Sequence, residues 1–371
     1  MEAMELEYDR LIKALENPID VGRPVILPDF YVDHFVIAGQ FDDFIEGLTA
    51  LARQGGGNLL GNKQFLRRGG NSVNTASALL MLGLDPVLII TTDDYGSTLL
   101  PTLVSSDLDL SHVHTDGRLS STVSIELEHE GRRVNLMVSD SGSAAEFSLS
   151  DLTEEDLSAI HASNLVALLN LNHNPDAPEL AHDLFEMVGA SSKAIRFMDV
   201  GDPSGNLEIV EPLARNVLAQ GMVDIVSLNE NEARWFAWAI SGKNSRWDHL
   251  SSEPEDWLSA AKVVSSETGT RIDLHTQHFT ASLLEDKLTM APAFDVVGRI
   301  ACGAGDAWNA GDIYGTLQNL EAFDRLSLAN AVASQYVSSI DASHPSREET
   351  IDFLRSNPPL ESLGERLVNR V

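Results

Sequence analysis

The stretch GRIACGAGDAWNAGDIYGTL, Gly298 to Leu317, constrains the chain more than any other, because a run of minimal side chains leads straight into a helix. Gly303, Ala304 and Gly305 let backbone N–H groups close on an anion, and glycine tolerates the dihedrals such a turn needs. After Asp306, residues Ala310, Ile313, Tyr314 and Leu317 recur at helical spacing, which puts the small residues where a helix leaves its first N–H groups unpaired. An anion fits there. A carboxylate at Asp306 can take a proton from an alcohol while those N–H groups hold a charged group under attack. Read alone, GAGD is more often a capped tight turn. A dinucleotide-binding GxGxxG reading fails, since Trp308 stands where the third Gly is needed.

The rest of the chain alternates short apolar runs with helical patterns. Residues 23–28, 86–92, 165–169, 195–200, 223–228 and 271–275 read as buried strands spaced by helices. That predicts an α/β fold with a parallel sheet covered on both faces, and ligands at the carboxyl ends of its strands. Thr122 to Val138 alternates about Glu130-Gly131 as a hairpin, and residues 41–54 have helical spacing that Gly55 to Gly57 break. Residues 4–16 read as a short helix within an N-terminal extension, 1–20, of one domain spanning 1–371.

The charge balance, 56 acidic against 25 basic residues and a net −31, argues against nucleic acid or an anionic membrane as partner. It suits a protein kept soluble in high salt, or a merely acidic one. The single cysteine, Cys302, cannot form an internal disulfide, and it is expected to pack beneath the anion loop. No signal peptide and no apolar run of membrane length is visible, so a cytoplasmic protein is expected. His34 and His173 lack the spacing of a metal pair.

Two further runs, RRGGNSVNTASALLMLG (Arg67 to Gly83) and SLNENEA (Ser227 to Ala233), join the first in a fixed order. Together they resemble the ribokinase-like (PfkB) carbohydrate kinases, whose signatures read GGxxxNxAxxxxxLG, NxxE and DTxGAGDxFxxG. The resemblance implies a three-layer α/β/α ribokinase-like fold, with a central mostly parallel sheet and a small β lid from about 34–66 and 118–140. It implies a kinase that moves the terminal phosphoryl group of a Mg-nucleotide to a hydroxyl of a sugar, sugar phosphate or nucleoside. Asp306 falls at the family's base, with the amides of Gly303, Ala304 and Gly305 stabilising the transferring group. Asp33, Gly69, Gly70, Asn74 and Asn172 fall on the acceptor. Asn229, His275, Gln277 and Asn330 fall on the nucleotide, and Asn229 with Glu232 on Mg2+ through water.

Departures from the family pattern carry their own expectations. Tyr31 replaces an Asn, and Trp308 a Phe. His275 to Gln277 replaces a TxG turn, in a run RIDLHT similar to ADP-dependent sugar kinases, so ADP stands beside ATP as donor. Ile300-Ala301 replaces an Asp-Thr whose carboxylate helps hold a monovalent cation. Arg67 and Arg68 could pin a phosphate already on the substrate, although they read more simply as solvated loop charges. The alternative function is a non-catalytic kinase-fold protein that binds sugar or nucleotide or regulates. Small-molecule sugar or nucleoside and nucleotide are the expected partners, with a homodimer through the lid strands as the family's assembly.

Overall fold

A computed structural model describes residues 8–300, 302–339, 341–356, 358–361 and 367, with 132 and 133 described by their backbone. Apolar runs such as Leu165–Leu169 and Ile225–Leu228 are buried along their whole length, as a sheet covered on both faces requires. The main sheet has eight strands in the spatial order Lys287–Pro292, Phe279–Leu284, Arg271–His275, Ile225–Leu228, Ile195–Asp199, Leu165–Leu169, Val25–Leu27, Val87–Leu88. The last six pair in parallel, and the hairpin 279–292 adds the two antiparallel strands at one edge. The run 86–92, read as one strand, is broken: Ile90–Thr91 leaves the sheet to pair with Val113–His114.

Strand alternation splits the interior in two. Val25, Leu27, Val166 and Leu168 face one layer, which includes the helices Ala177–Ser191, Glu230–Ile240 and Pro254–Thr268. Ile26, Leu165, Ala167 and Leu169 face the other, formed by Asn71–Met81, Ala304–Leu317 and Ala322–Ser338. This is a three-layer α/β/α fold. The helix Asp9–Glu16 docks Leu11 and Leu15 into the second layer; the start of the predicted helix, residues 4–7, lies outside the described residues.

Helix Ala304–Leu317 is more enclosed than its apolar stripe predicts. Asn309 and Asp312, off that stripe, are 0% exposed, because the helix lies between the sheet, Asn71–Met81 and Ala322–Ser338. Gly311 has no side chain where the backbone of Ala329 comes against it, so the two helices can pack closely there.

A second sheet of four strands, in the order Lys63–Gly69, Tyr31–Gln40, Ser120–His129, Arg132–Asp140, stands at the carboxyl end of the first main-sheet strand. Its hairpin turns at Glu130 and Gly131, both at positive φ, the conformation a two-residue turn between twisted strands needs. Helix Phe41–Arg53 is inserted between two of its strands and buries none of its residues. Among the described residues no helix is long and apolar enough to cross a membrane.

Candidate active site

Gly303 is the N-cap of helix Ala304–Leu317 and lies at φ 85°, where a side chain would also collide with the Tyr336 hydroxyl. That hydroxyl donates to the Cys302 carbonyl at 3.0 Å, which fixes the loop in place. No side chain caps the helix, so its first N–H groups stay available to an anion. Asp306 sits in this first turn, 6% exposed, and accepts a hydrogen bond from Asn74 Nδ2 at 2.8 Å. Burial pushes its carboxyl up to about 7, and the charges of Asp199, Asp29 and Asp33 push the same way. Cys302, expected beneath the loop, is instead exposed in the wall of the adjoining cavity. Of the pair Ile300-Ala301, Ala301 lies outside the described residues.

That cavity, about 570 Å³, opens between the small sheet and the loop that precedes the helix, and Asp33, Asn74, Arg67 and Arg68 help line it. Asp33 is held partly out of water on the strand Tyr31–Gln40, and burial with the nearby Asp29 raises its carboxyl to about 6. Gly69 leaves room for that carboxylate, which a side chain at 69 would displace. Gly70, at φ 91°, leaves room where a side chain would press on the backbone of Asp29 and Phe30. Arg67 and Arg68, read as solvated loop charges, lie instead on strand Lys63–Gly69, because pairing with Asp33 and Val32 carries the strand up to the glycines. Both are only partly exposed there.

Asp29 is a buried group that spacing did not reveal. It accepts from the N–H groups of Asn71 and Ser72, the Ser72 hydroxyl and Asn170 Nδ2, and so anchors the start of helix Asn71–Met81. Asp199 is another. At the carboxyl end of its strand it accepts from Asn309 Nδ2 at 2.5 Å and from the Gly201 N–H at 2.7 Å. Only a polar residue closing an apolar strand signalled it.

Asn229 and Glu232 form a capping box at the start of helix Glu230–Ile240: Asn229 Oδ1 accepts from the N–H groups of 231 and 232, and its own amide groups donate to the Glu232 carboxylate. The carboxylate is 4% exposed, and burial together with Asp199, Asp202 and Glu230 drives its pKa well up. No Lys or Arg among the described residues neutralises it. A buried acidic group of this kind fits a divalent cation, held through water by oxygen ligands. Asn172 sits on the same side: its Nδ2 donates to the Asp202 carbonyl and its Oδ1 is buried without a partner, and it does not line the cavity.

His275 lies at the end of its strand with its ring stacked on Trp308, 4.9 Å between centroids, and its Cε1 close to Gly305. Burial lowers its pKa to about 4, so the ring is neutral, and Nε2 is buried without a partner. Gln277 is exposed in the turn that follows. Asn330 presents no free group: its carbonyl accepts from the Trp308 indole, and its Nδ2 donates to Thr280 Oγ1 and the Pro292 carbonyl.

Residues 43–349 match the family model described as pfkB family carbohydrate kinase. Fructoselysine 6-kinase of Escherichia coli (strain K12) is 35% identical over 122 residues, 32% of this chain and 44% of that protein, so the match spans less than half the relative's length. An Arabidopsis thaliana ribokinase structure, complexed with ribose and ATP, superposes with a TM-score of 0.68 at 15% identity, covering 90% of this chain and 99% of that one. A Cryptococcus neoformans var. grubii ribokinase in complex with ADP gives 0.66 at 16% identity, covering 89% and 99%. At that identity the likeness is one of fold.

Proposed function

The chain belongs to the pfkB family of carbohydrate kinases, and from that premise we propose that it transfers the terminal phosphoryl group of a Mg-nucleotide to a sugar hydroxyl, with Asp306 as the base. The carrying observation is Asp306 itself: a buried carboxylate without a cationic partner, in the first turn of an uncapped helix, bonded to an asparagine that lines a cavity of sugar size. Asn74 engages one carboxylate oxygen and leaves the other for the acceptor hydroxyl. The amides of 303–305 take the charge that spreads over the transferring group, while Asp33 accepts from other hydroxyls. Because phosphoryl transfer has a loose transition state, this positioning should matter more than proton abstraction.

Mg2+, when bound, neutralises the donor phosphates; Glu232 and Asp199 are the carboxylates placed to hold its water, with Asn229 fixing Glu232. Neutral His275, behind the cradle at Gly305, offers its unpartnered Nε2 to the donor phosphates, and Gln277 lies on the same turn. Asn330 acts on that side through Trp308, which it holds against His275. The donor is ATP or, given His275-Thr276 in place of the usual turn, ADP. The small sheet closes over the acceptor as a lid.

The test is phosphoryl transfer from Mg-ATP and, separately, Mg-ADP to a panel of sugars, sugar phosphates and nucleosides, at low and high salt, with Asp306→Asn alongside. A product made by the wild type and lost in the variant supports the reading. Ligand binding without turnover from either donor sinks it in favour of a binding protein.

A further inference from the structure

The cavity beside Asp306 holds three guanidinium groups, Arg67, Arg68 and Arg299, in a chain whose acidic residues outnumber its basic ones by more than two to one. Arg67 stacks over Phe35 and Phe65, 5.4 and 4.9 Å from the ring centroids. Arg68 is different. Its one hydrogen bond is a long contact, 3.4 Å, from Nη2 to the Ala342 carbonyl, and its Nε is buried with no partner at all. Among the described residues it makes no ion pair, and neither does the exposed Arg299 at the mouth of the same cavity. A half-buried guanidinium with a donor left unsatisfied is costly to maintain, and the cost disappears when an anion supplies two acceptors to its fork.

We infer that this cavity is built for an acceptor that carries an anionic group, a phosphate monoester or a carboxylate, with Arg68 as its anchor and Arg299 as a second contact at the entrance. The inference rests on the kinase reading and narrows its acceptor. Asp33 and Asn74 face the hydroxyl-bearing part of such a molecule, while Arg68, at the end of strand Lys63–Gly69, faces its charged part. Tyr336 and His344 stack beside this group, 4.7 Å between centroids, and His344 has both ring nitrogens buried without partners. Asp33, Glu126 and Asp341 line the same cavity, yet among the described residues no carboxylate is bonded to Arg68.

The experiment compares three acceptor types of one sugar skeleton: the neutral sugar, its monophosphate and its carboxylic acid. Turnover and calorimetric binding are both measured, for wild type, Arg68→Gln and Arg299→Gln. The wild type should prefer one anionic form over the neutral sugar by about 100-fold in kcat/KM, the choice of form naming the anion. Arg68→Gln should lose about 10- to 100-fold on that form, through KM, and cost the neutral sugar markedly less. Arg299→Gln, an exposed position that cannot endanger folding, should show a smaller loss of the same selectivity. Equal losses on neutral and anionic acceptors would put Arg68 on the transferring phosphoryl group and overturn the inference, as would a wild type that favours the neutral sugar. Anion binding that depends on Arg68 without any turnover would instead sink the kinase reading, and with it the acceptor role, leaving only an anion site at Arg68.

Discussion

Two regions of the interior bury carboxylates, and they do it in opposite ways. Under the edge of the main sheet, Asp273 and Asp312 are both 0% exposed, and Arg325 bonds to both while Arg271 bonds to Asp273 at 2.9 Å. Burial alone would raise both; the two arginines hold Asp273 at about 2, while burial and the neighbouring Asp273 still lift Asp312 to about 6. Around the cradle, Asp29, Asp199, Glu232 and Asp306 are buried nearly as deeply, but their hydrogen bonds come only from amides, a hydroxyl and backbone N–H groups. Burial raises every one of them. The first cluster is neutral within the fold, whereas the second lacks positive charge that a nucleotide's cation would bring.

The comparison breaks most visibly at one residue of each cluster. Asp306→Asn should lower kcat by about 1,000-fold or more, measured by product formation under saturating substrates. The same change should stabilise the free protein at pH 8. In the fold this carboxyl titrates near 7 against 3.8 when unperturbed, so the native state binds the extra proton between those values and stability falls as pH rises through them. Melting temperature against pH, flatter for the variant than for wild type, reads this out. Arg325→Met should act in reverse, destabilising by about 3–5 kcal/mol in urea titration because two buried carboxylates lose their cation, while the folded fraction keeps its kcat.

Smaller effects sharpen the contrast. Glu232→Gln should raise the Mg2+ concentration for half-maximal rate by about tenfold, since the water that would hold the cation loses a charged oxygen to bond to. Unchanged Mg2+ dependence would return Glu232 to a purely capping role. Asn74→Ala should cost less in rate, and it should move the rise of the pH–rate profile to higher pH. Its hydrogen bond is the largest influence holding the Asp306 carboxyl down, so without it ionisation needs a higher pH.

What could be read from the chain was local. Buried strands at 165–169, 223–228 and 271–275, the hairpin at Glu130-Gly131 and the helix behind GAGD are each specified by contiguous residues, and each is present. Asp29 and Asp199 were illegible because their meaning depends on Ser72 and Asn309, 43 and 110 residues away. Arg68 was misread for a related reason: its strand exists only because Tyr31–Gln40 pairs with it, and nothing in Lys63–Gly69 alone announces that partner. Asn330 matched a family position, yet folding turned its amide inward to Trp308 and two strands.

Helix Ala304–Leu317 is walled in by the sheet and two neighbouring helices, so its reactive end cannot shift unless the interior moves with it. The small sheet is less confined: Val32 ties it to the second core, while its strands supply Asp33, Arg67 and Arg68 to the cavity. On the proposed reading, chemistry and choice of substrate are thereby placed on separately adjustable parts. Drift in the outer strands can retune which molecule is accepted while the machinery that acts on it stays fixed, which gives this architecture an inbuilt freedom to diversify.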